Sequence, residues 1–145
     1  MLEPIFPLMS LYIENKGGFM NINRKQIMET FIETIADVAN KEYQDRVWIK
    51  GLGPECDDYS EFINYFLDES EAILASYKDF NITDTQYILL KKFEEKIRSF
   101  HNNPDRPYLP EIFLNSSEWL QIIDMAREVL VAFNYYKMQK DTLGK

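Results

Sequence analysis

From Asn23 onward the apolar residues recur at three- and four-residue spacing, at Ile27, Met28, Phe31, Ile32, Ile35, Val38 and Ala39. That is the repeat of a helix with one face in a core. Asn23 followed by Gln26 resembles a capping box, so a first helix is predicted from Asn23 to about Tyr43. Gly51, Gly53 and Pro54 stop any helix, and Val47-Trp48-Ile49 prefers an extended backbone, which predicts a short extended connector over 46–54. Asp58 with Glu61 opens a second helix carrying Phe62, Ile63, Phe66 and Leu67 inward. A break at Asp68-Glu69-Ser70 then separates it from a shorter helix over Glu71 to Tyr77. Thr83 with Gln86 starts the next, whose apolar stripe is Tyr87, Leu90, Phe93, Ile97 and Phe100. Three prolines within His101 to Pro110 forbid a helix there and predict a surface loop. Asn115 or Ser116 caps a last helix, with Trp119, Ile122, Ile123, Ala126, Leu130 and Phe133 on one side, ending near Lys140.

Five helices and no convincing strand pair make the chain all-α, a single-domain irregular bundle of about five helices with a short extended Trp/Gly-Pro connector. Its 145 residues, 46% hydrophobic, suffice for one core and leave no room for a second domain. The helical domain is bounded at 20–140, with 141–145 a frayed tail. Residues 1–19 differ, with two prolines, a Gly17-Gly18 pair and no helical period. Lys16-Gly17-Gly18 ahead of Met20 can be encoded as a purine-rich run like a bacterial ribosome-binding site. The expectation is therefore a natural start at Met20 behind a translated leader; the plainer reading is a poorly ordered N-terminus.

Charge changes this picture most. The formal net charge is −8, and nearly all of it lies between Lys50 and Lys78. Glu55, Asp57, Asp58, Glu61, Asp68, Glu69 and Glu71 fall in that interval without a single lysine or arginine. The flanks are almost balanced, with six basic against seven acidic residues before it and ten against ten after it. A run of acids is most often a hydrated face; here its concentration and the absence of mixed signs favour a surface that meets something positive. A pI near 4.7 argues against nucleic acid and anionic membranes as partners and fits a basic protein. Trp48 and Tyr59 bracket the glycine turn and its acids, which makes them the expected aromatic anchors.

Catalytic chemistry is thinly represented. The one histidine, His101, reads as a solvated turn residue, and one histidine with one cysteine cannot build a histidine-rich metal site. Cys56 lies among acids that disfavour its thiolate, and as a lone cysteine it favours a reducing compartment. The carboxylates lack the spacing of a calcium loop, and Gly51-x-Gly53-Pro54 lacks the Lys-Ser/Thr of a phosphate loop. No catalytic residue, metal or cofactor is expected. The N-terminal apolar stretch has Glu3 where an export signal carries basic residues, so the expected location is cytoplasmic.

The segment Arg46-Val47-Trp48-Ile49-Lys50-Gly51-Leu52-Gly53-Pro54-Glu55-Cys56-Asp57-Asp58-Tyr59, followed by Phe62-Ile63-Asn64-Tyr65-Phe66-Leu67-Asp68-Glu69, resembles small bacterial immunity proteins of contact-dependent growth inhibition systems. The resemblance spans roughly Asn23 to Tyr136. It implies a cytoplasmic protein that binds and neutralises the toxin domain, often a nuclease, of a partner toxin. A nuclease needs a basic surface for phosphates, which an acidic, non-enzymatic inhibitor can occupy. Read from the residues themselves, the partner-binding set is Trp48, Glu55, Asp57, Asp58, Tyr59, Glu61, Asp68, Glu69 and Glu71. Two other readings stay open: a metal-dependent hydrolase using the clustered carboxylates, and a helical adaptor.

Overall fold

The structure, a computed structural model, describes residues 18–52 and 58–137, with side chains from Asn23 on. Within them the protein is all-α. Four long helices dominate: α1 (Gly18–Val38), α3 (Tyr59–Ala75), α4 (Asp84–Asn102) and α6 (Ser117–Ala132). Between α1 and α3 come the single turn α2 (Lys41–Tyr43) and a π-helix (Gln44–Ile49). A 3-10 turn (Tyr77–Phe80) joins α3 to α4, and the short α5 (Pro110–Phe113) precedes α6.

Around the core α1 packs on α3, α3 on α4, α4 on α6, and α6 back on α1. Each neighbouring pair is antiparallel. Tyr59 at the start of α3 meets His101 at the end of α4, and Phe100 near that end meets Trp119 at the start of α6. Gln86 at the start of α4 donates to the Ala132 carbonyl at the end of α6, 2.9 Å away. Phe31 of α1 stacks on Phe66 of α3 at 5.7 Å, which in turn meets Phe93 of α4 edge-on. The result is an up-and-down four-helix bundle. The connection from α1 to α3 and the connection from α4 to α6 both cross one end of it, where the π-helix packs against α5. We refer to this as the capped end.

Local chemistry explains where the elements begin and end. Thr83 and Gln86 form a complete capping box, and Ser116 caps α6 by accepting from the Trp119 N–H. Asp58 Oδ1 accepts from the Glu61 N–H at 2.8 Å. All three follow from the sequence pattern. Asn23, in contrast, lies buried inside α1 and caps nothing. Gly18 and Phe19 belong to that helix, and the rest of the expected 1–19 extension lies outside the described residues, as does the expected 141–145 tail.

The first helix also ends earlier than Tyr43. Asn40 adopts an extended backbone and its side chain accepts from the Tyr43 N–H at 3.0 Å, so its carbonyl-bearing side chain starts a new helix rather than continuing the old one. Val47-Trp48-Ile49 is helical instead of extended. Its wider turn, marked by Lys50 N–H donating to Asp45 O, buries Gln44, Val47 and Trp48 together, and that burial outweighs β-propensity. Only Gly51, with φ +66, and Leu52 remain of the described connector.

The expected break at Asp68-Glu69-Ser70 is absent, and α3 runs unbroken to Ala75. Phe62, Phe66, Glu69 and Ile73 form one buried row, and Ile63, Leu67, Ser70 and Leu74 the adjacent one. Ser70 keeps the helix by donating its hydroxyl to the Leu67 carbonyl at 3.1 Å. No helix spans Glu71 to Tyr77 by itself; Asn81, left-handed at φ 59, closes the turn that follows α3. The proline-rich stretch is not all loop either. His101 and Asn102 end α4, and Pro110 is the first residue of α5, where a missing N–H costs nothing. Helix α6 ends at Ala132, with Asn134 left-handed at φ 61, and residues 135–137 are helical again; the expected end near Lys140 lies outside the described residues.

Candidate functional site

Helix α3 turns two different faces to its surroundings. Its apolar rows lie against α1 and α4, while Glu61, Asn64, Asp68, Glu71 and Ala75 are exposed. Glu61, Asp68 and Glu71 are seven and three residues apart, which places them along one side of the helix over about 15 Å. Asp58, exposed at the N-cap, begins the same row. Among the described residues none of these four carboxylates has an ion-pair partner. Some carboxylates elsewhere are paired, in Arg46–Glu42, Lys50–Asp45, Lys91–Glu95, Arg98–Glu94 and Arg127–Asp124, while Glu111 and Glu118 are not, among the described residues.

Three of the expected partner-binding residues are placed differently. Trp48 and Tyr59 are only 7% and 4% exposed, so they cannot serve as surface anchors. Both belong to a ring cluster that fills the capped end. Trp48 contacts Tyr43, Tyr59, Phe62 and Trp119, and Tyr59 contacts Phe113 at 4.7 Å. Glu69 is 3% exposed because it occupies a core position of α3 rather than the hydrated face. Its Oε2 has no hydrogen-bond partner among the described residues, and burial pushes its carboxyl up to about 7. Glu55 and Asp57 lie outside the described residues.

His101 is likewise not a solvated turn residue. It is half-buried at the end of α4, with Nδ1 3.2 Å from the Tyr59 hydroxyl. Burial first, and the neighbouring Arg106 guanidinium second, hold its pKa below the usual imidazole value. Burial thus disfavours the charged ring, and the direction of its hydrogen bond with the Tyr59 hydroxyl follows the ring's tautomer. Burial raises the Tyr59 phenol above its ordinary value, with Arg106 opposing, so this hydroxyl stays protonated. Arg106 itself lies over the rings of Tyr59, Phe113 and Phe100 at 5.1, 5.5 and 5.7 Å. Its guanidinium also donates to the His101 and Pro107 carbonyls. Arg106→Ala is expected to cost about 1–2 kcal/mol through lost cation–π and packing contacts. It should also raise the pH at which His101 titrates. NMR titration of the ring checks this, and an unmoved midpoint would show that the guanidinium charge is not felt there.

Among the described residues no group of three or more His, Cys, Asp or Glu side chains converges to hold a metal ion. No described helix is long and apolar enough to cross a membrane. A hollow of about 450 Å³ lies between α1 and the 3-10 turn, away from the capped end. Its lining mixes Arg24 and Lys25 with Glu29 and Asp79, and it contains none of the candidate residues. Comparison with protein-family models, with curated proteins and with solved structures finds no match to this chain.

Proposed function

We propose that this chain is an immunity protein, a non-enzymatic inhibitor that acts in the cytoplasm on the basic toxin domain of a partner toxin, with a nuclease domain the best chemical fit. The observation that carries the reading is the exposed acidic row of α3, made of Asp58, Glu61, Asp68 and Glu71 and free of ion pairs among the described residues. An enzyme that handles phosphates needs a basic surface, and a row of unneutralised carboxylates is drawn to such a surface and can occlude it. Steering of this kind raises association rates more than it tightens the final complex. The acidic row therefore supplies speed, and tightness has to come from apolar contact.

The test is co-expression with the basic C-terminal domain of the toxin encoded beside this chain, read as restored growth. In the purified pair, Glu61→Lys, Asp68→Lys and Glu71→Lys together should slow association at least tenfold and flatten its dependence on salt. Folding stability should change by no more than about 0.5 kcal/mol per site, because all three side chains are exposed. Full growth protection with an unchanged association rate would refute this use of the row.

A further inference from the structure

The capped end carries a second surface that the acidic row does not include. Five large apolar side chains point to solvent there: Ile49 and Leu52 from the connection between α1 and α3, and Tyr108, Leu109 and Ile112 from the connection between α4 and α6. All but Ile49 are more than half exposed, and Tyr108 reaches 76%. The two connections lie side by side, because α5 packs on the π-helix. The ring cluster beneath is already complete, with Trp48, Phe113 and Trp119 buried, so the core does not need these five. Exposed apolar side chains gathered on one end of a molecule mark an interaction surface more often than chance scatter does.

The charges around this surface select the partner. Every basic side chain on the two connections is engaged: Lys41 with the Asn115 side chain at 3.3 Å, and Arg46 with Glu42 and the Leu52 carbonyl. Lys50 pairs with Asp45 at 3.0 Å, and Arg106 lies over the rings. The exposed acids Asp58, Glu111 and Glu118 have no ion pair among the described residues. Lys41, Arg46, Lys50 and Arg106 are outnumbered there by Glu42, Asp45, Asp58, Asp105, Glu111 and Glu118, so the local field is negative around an apolar centre, and the acidic row of α3 begins at the same end, at Asp58. We infer that Ile49, Leu52, Tyr108, Leu109 and Ile112 form the anchoring centre of a docking surface for a basic protein segment with an apolar face. Such a centre supplies the desolvated contact that charge steering alone lacks, while the acids form the rim. The inference rests on the immunity reading for the partner's identity and not for its chemistry.

The probe is a 20-residue helix-forming peptide with leucines on one face and lysines on the other, compared with the same peptide carrying glutamates in place of the lysines. Anisotropy titrations with the full chain should show binding of the lysine peptide that weakens with salt, and little binding of the glutamate peptide. Leu52→Asp with Ile112→Asp should weaken the lysine peptide at least tenfold. Both positions are exposed, so the fold is retained, and circular dichroism verifies that. The added aspartates sharpen the result, because nonspecific charge attraction would make this variant bind more tightly. Equal or tighter binding by the variant, equal binding of both peptides, or no binding of the lysine peptide would overturn the inference. So would a self-associated chain, seen in sedimentation, that the double variant dissolves, since the occupant would then be a second copy. Peptide binding that depends on Leu52 and Ile112 supports the surface even if co-expression gives no protection from the toxin, an outcome that removes the immunity reading alone.

Discussion

Replacing Gln44 with leucine is expected to cost about 3 kcal/mol, a large share of what holds a domain of this size together. Gln44 is completely buried, and its amide joins three elements. Nε2 donates to the Asp37 and Val38 carbonyls at 3.0 and 2.7 Å, and Oε1 accepts from Trp119 Nε1 at 3.1 Å. The first two bonds reach carbonyls at the C-terminal end of α1, groups that a helix cannot satisfy by itself. The third pins the start of α6 to the segment that follows α1. Leucine fills much of the same volume but leaves the Trp119 N–H and the Val38 carbonyl without the amide's bonds in the core, at roughly 1–3 kcal/mol each. Asp37 is less affected, since its carbonyl also accepts from the Asn40 N–H. Urea titration should show a lower midpoint at an unchanged slope. In a Trp119→Phe background, which has no indole N–H to orphan, the same substitution should cost less. A loss below 1 kcal/mol in the parent protein would mean that this amide does not hold the bundle ends together.

The second large effect is a dependence of stability on pH through Glu69. Its folded carboxyl titrates at about 7, against an ordinary value of 4.5, because of burial. A raised acid works against folding whenever the unfolded chain is ionised. Below pH 4.5 both states are protonated and the penalty is absent. It grows as pH rises through the interval and is complete above pH 7, at about 3 kcal/mol from 1.36 kcal/mol per unit. Glu69→Gln removes the titration. The stability of this variant relative to the parent should therefore improve by about 2.5 kcal/mol between pH 5 and pH 8, measured by denaturation at each pH, since part of the penalty is already present at pH 5. Parallel curves for the two proteins would disprove the buried-carboxyl account. Comparing the pair across pH isolates Glu69, since His101 and the surface acids contribute equally to both.

How much of this could be read beforehand differs from element to element. Apolar rows at helical spacing and a side chain that accepts from the third N–H are local signals, so α4, the start of α6 and the start of α3 are legible from Thr83, Ser116 and Asp58. The exposed acids Glu61, Asp68 and Glu71 are legible for the same reason, because they fall between the apolar rows. Glu69 is equally readable from its place between Phe66 and Ile73, but three polar residues in succession carry the local signal of a break. Nonlocal packing decided the rest. Nothing near Trp48 in the sequence says that Trp119 and Phe62 will enclose it. Tyr59 reads as an interface aromatic until His101 and Arg106 are brought over it from 42 and 47 positions away. Tyr108, Leu109 and Ile112 sit in a stretch whose prolines signal only a loop. Their exposure depends on Phe113 and Trp119 having already closed the core beneath them.

The ring cluster at the capped end also decides what light can report about this protein. The chain has two tryptophans, and both are in that cluster, with ring centroids 5.9 Å apart. Tryptophan emission therefore reads the capped end alone. The opposite end, around Tyr77, Tyr87 and Asn81, is silent in that signal and visible only to tyrosine absorption and to backbone dichroism. Agreement between emission and dichroism in a melting experiment is thus a direct measure of whether the two ends of the bundle open as one cooperative unit.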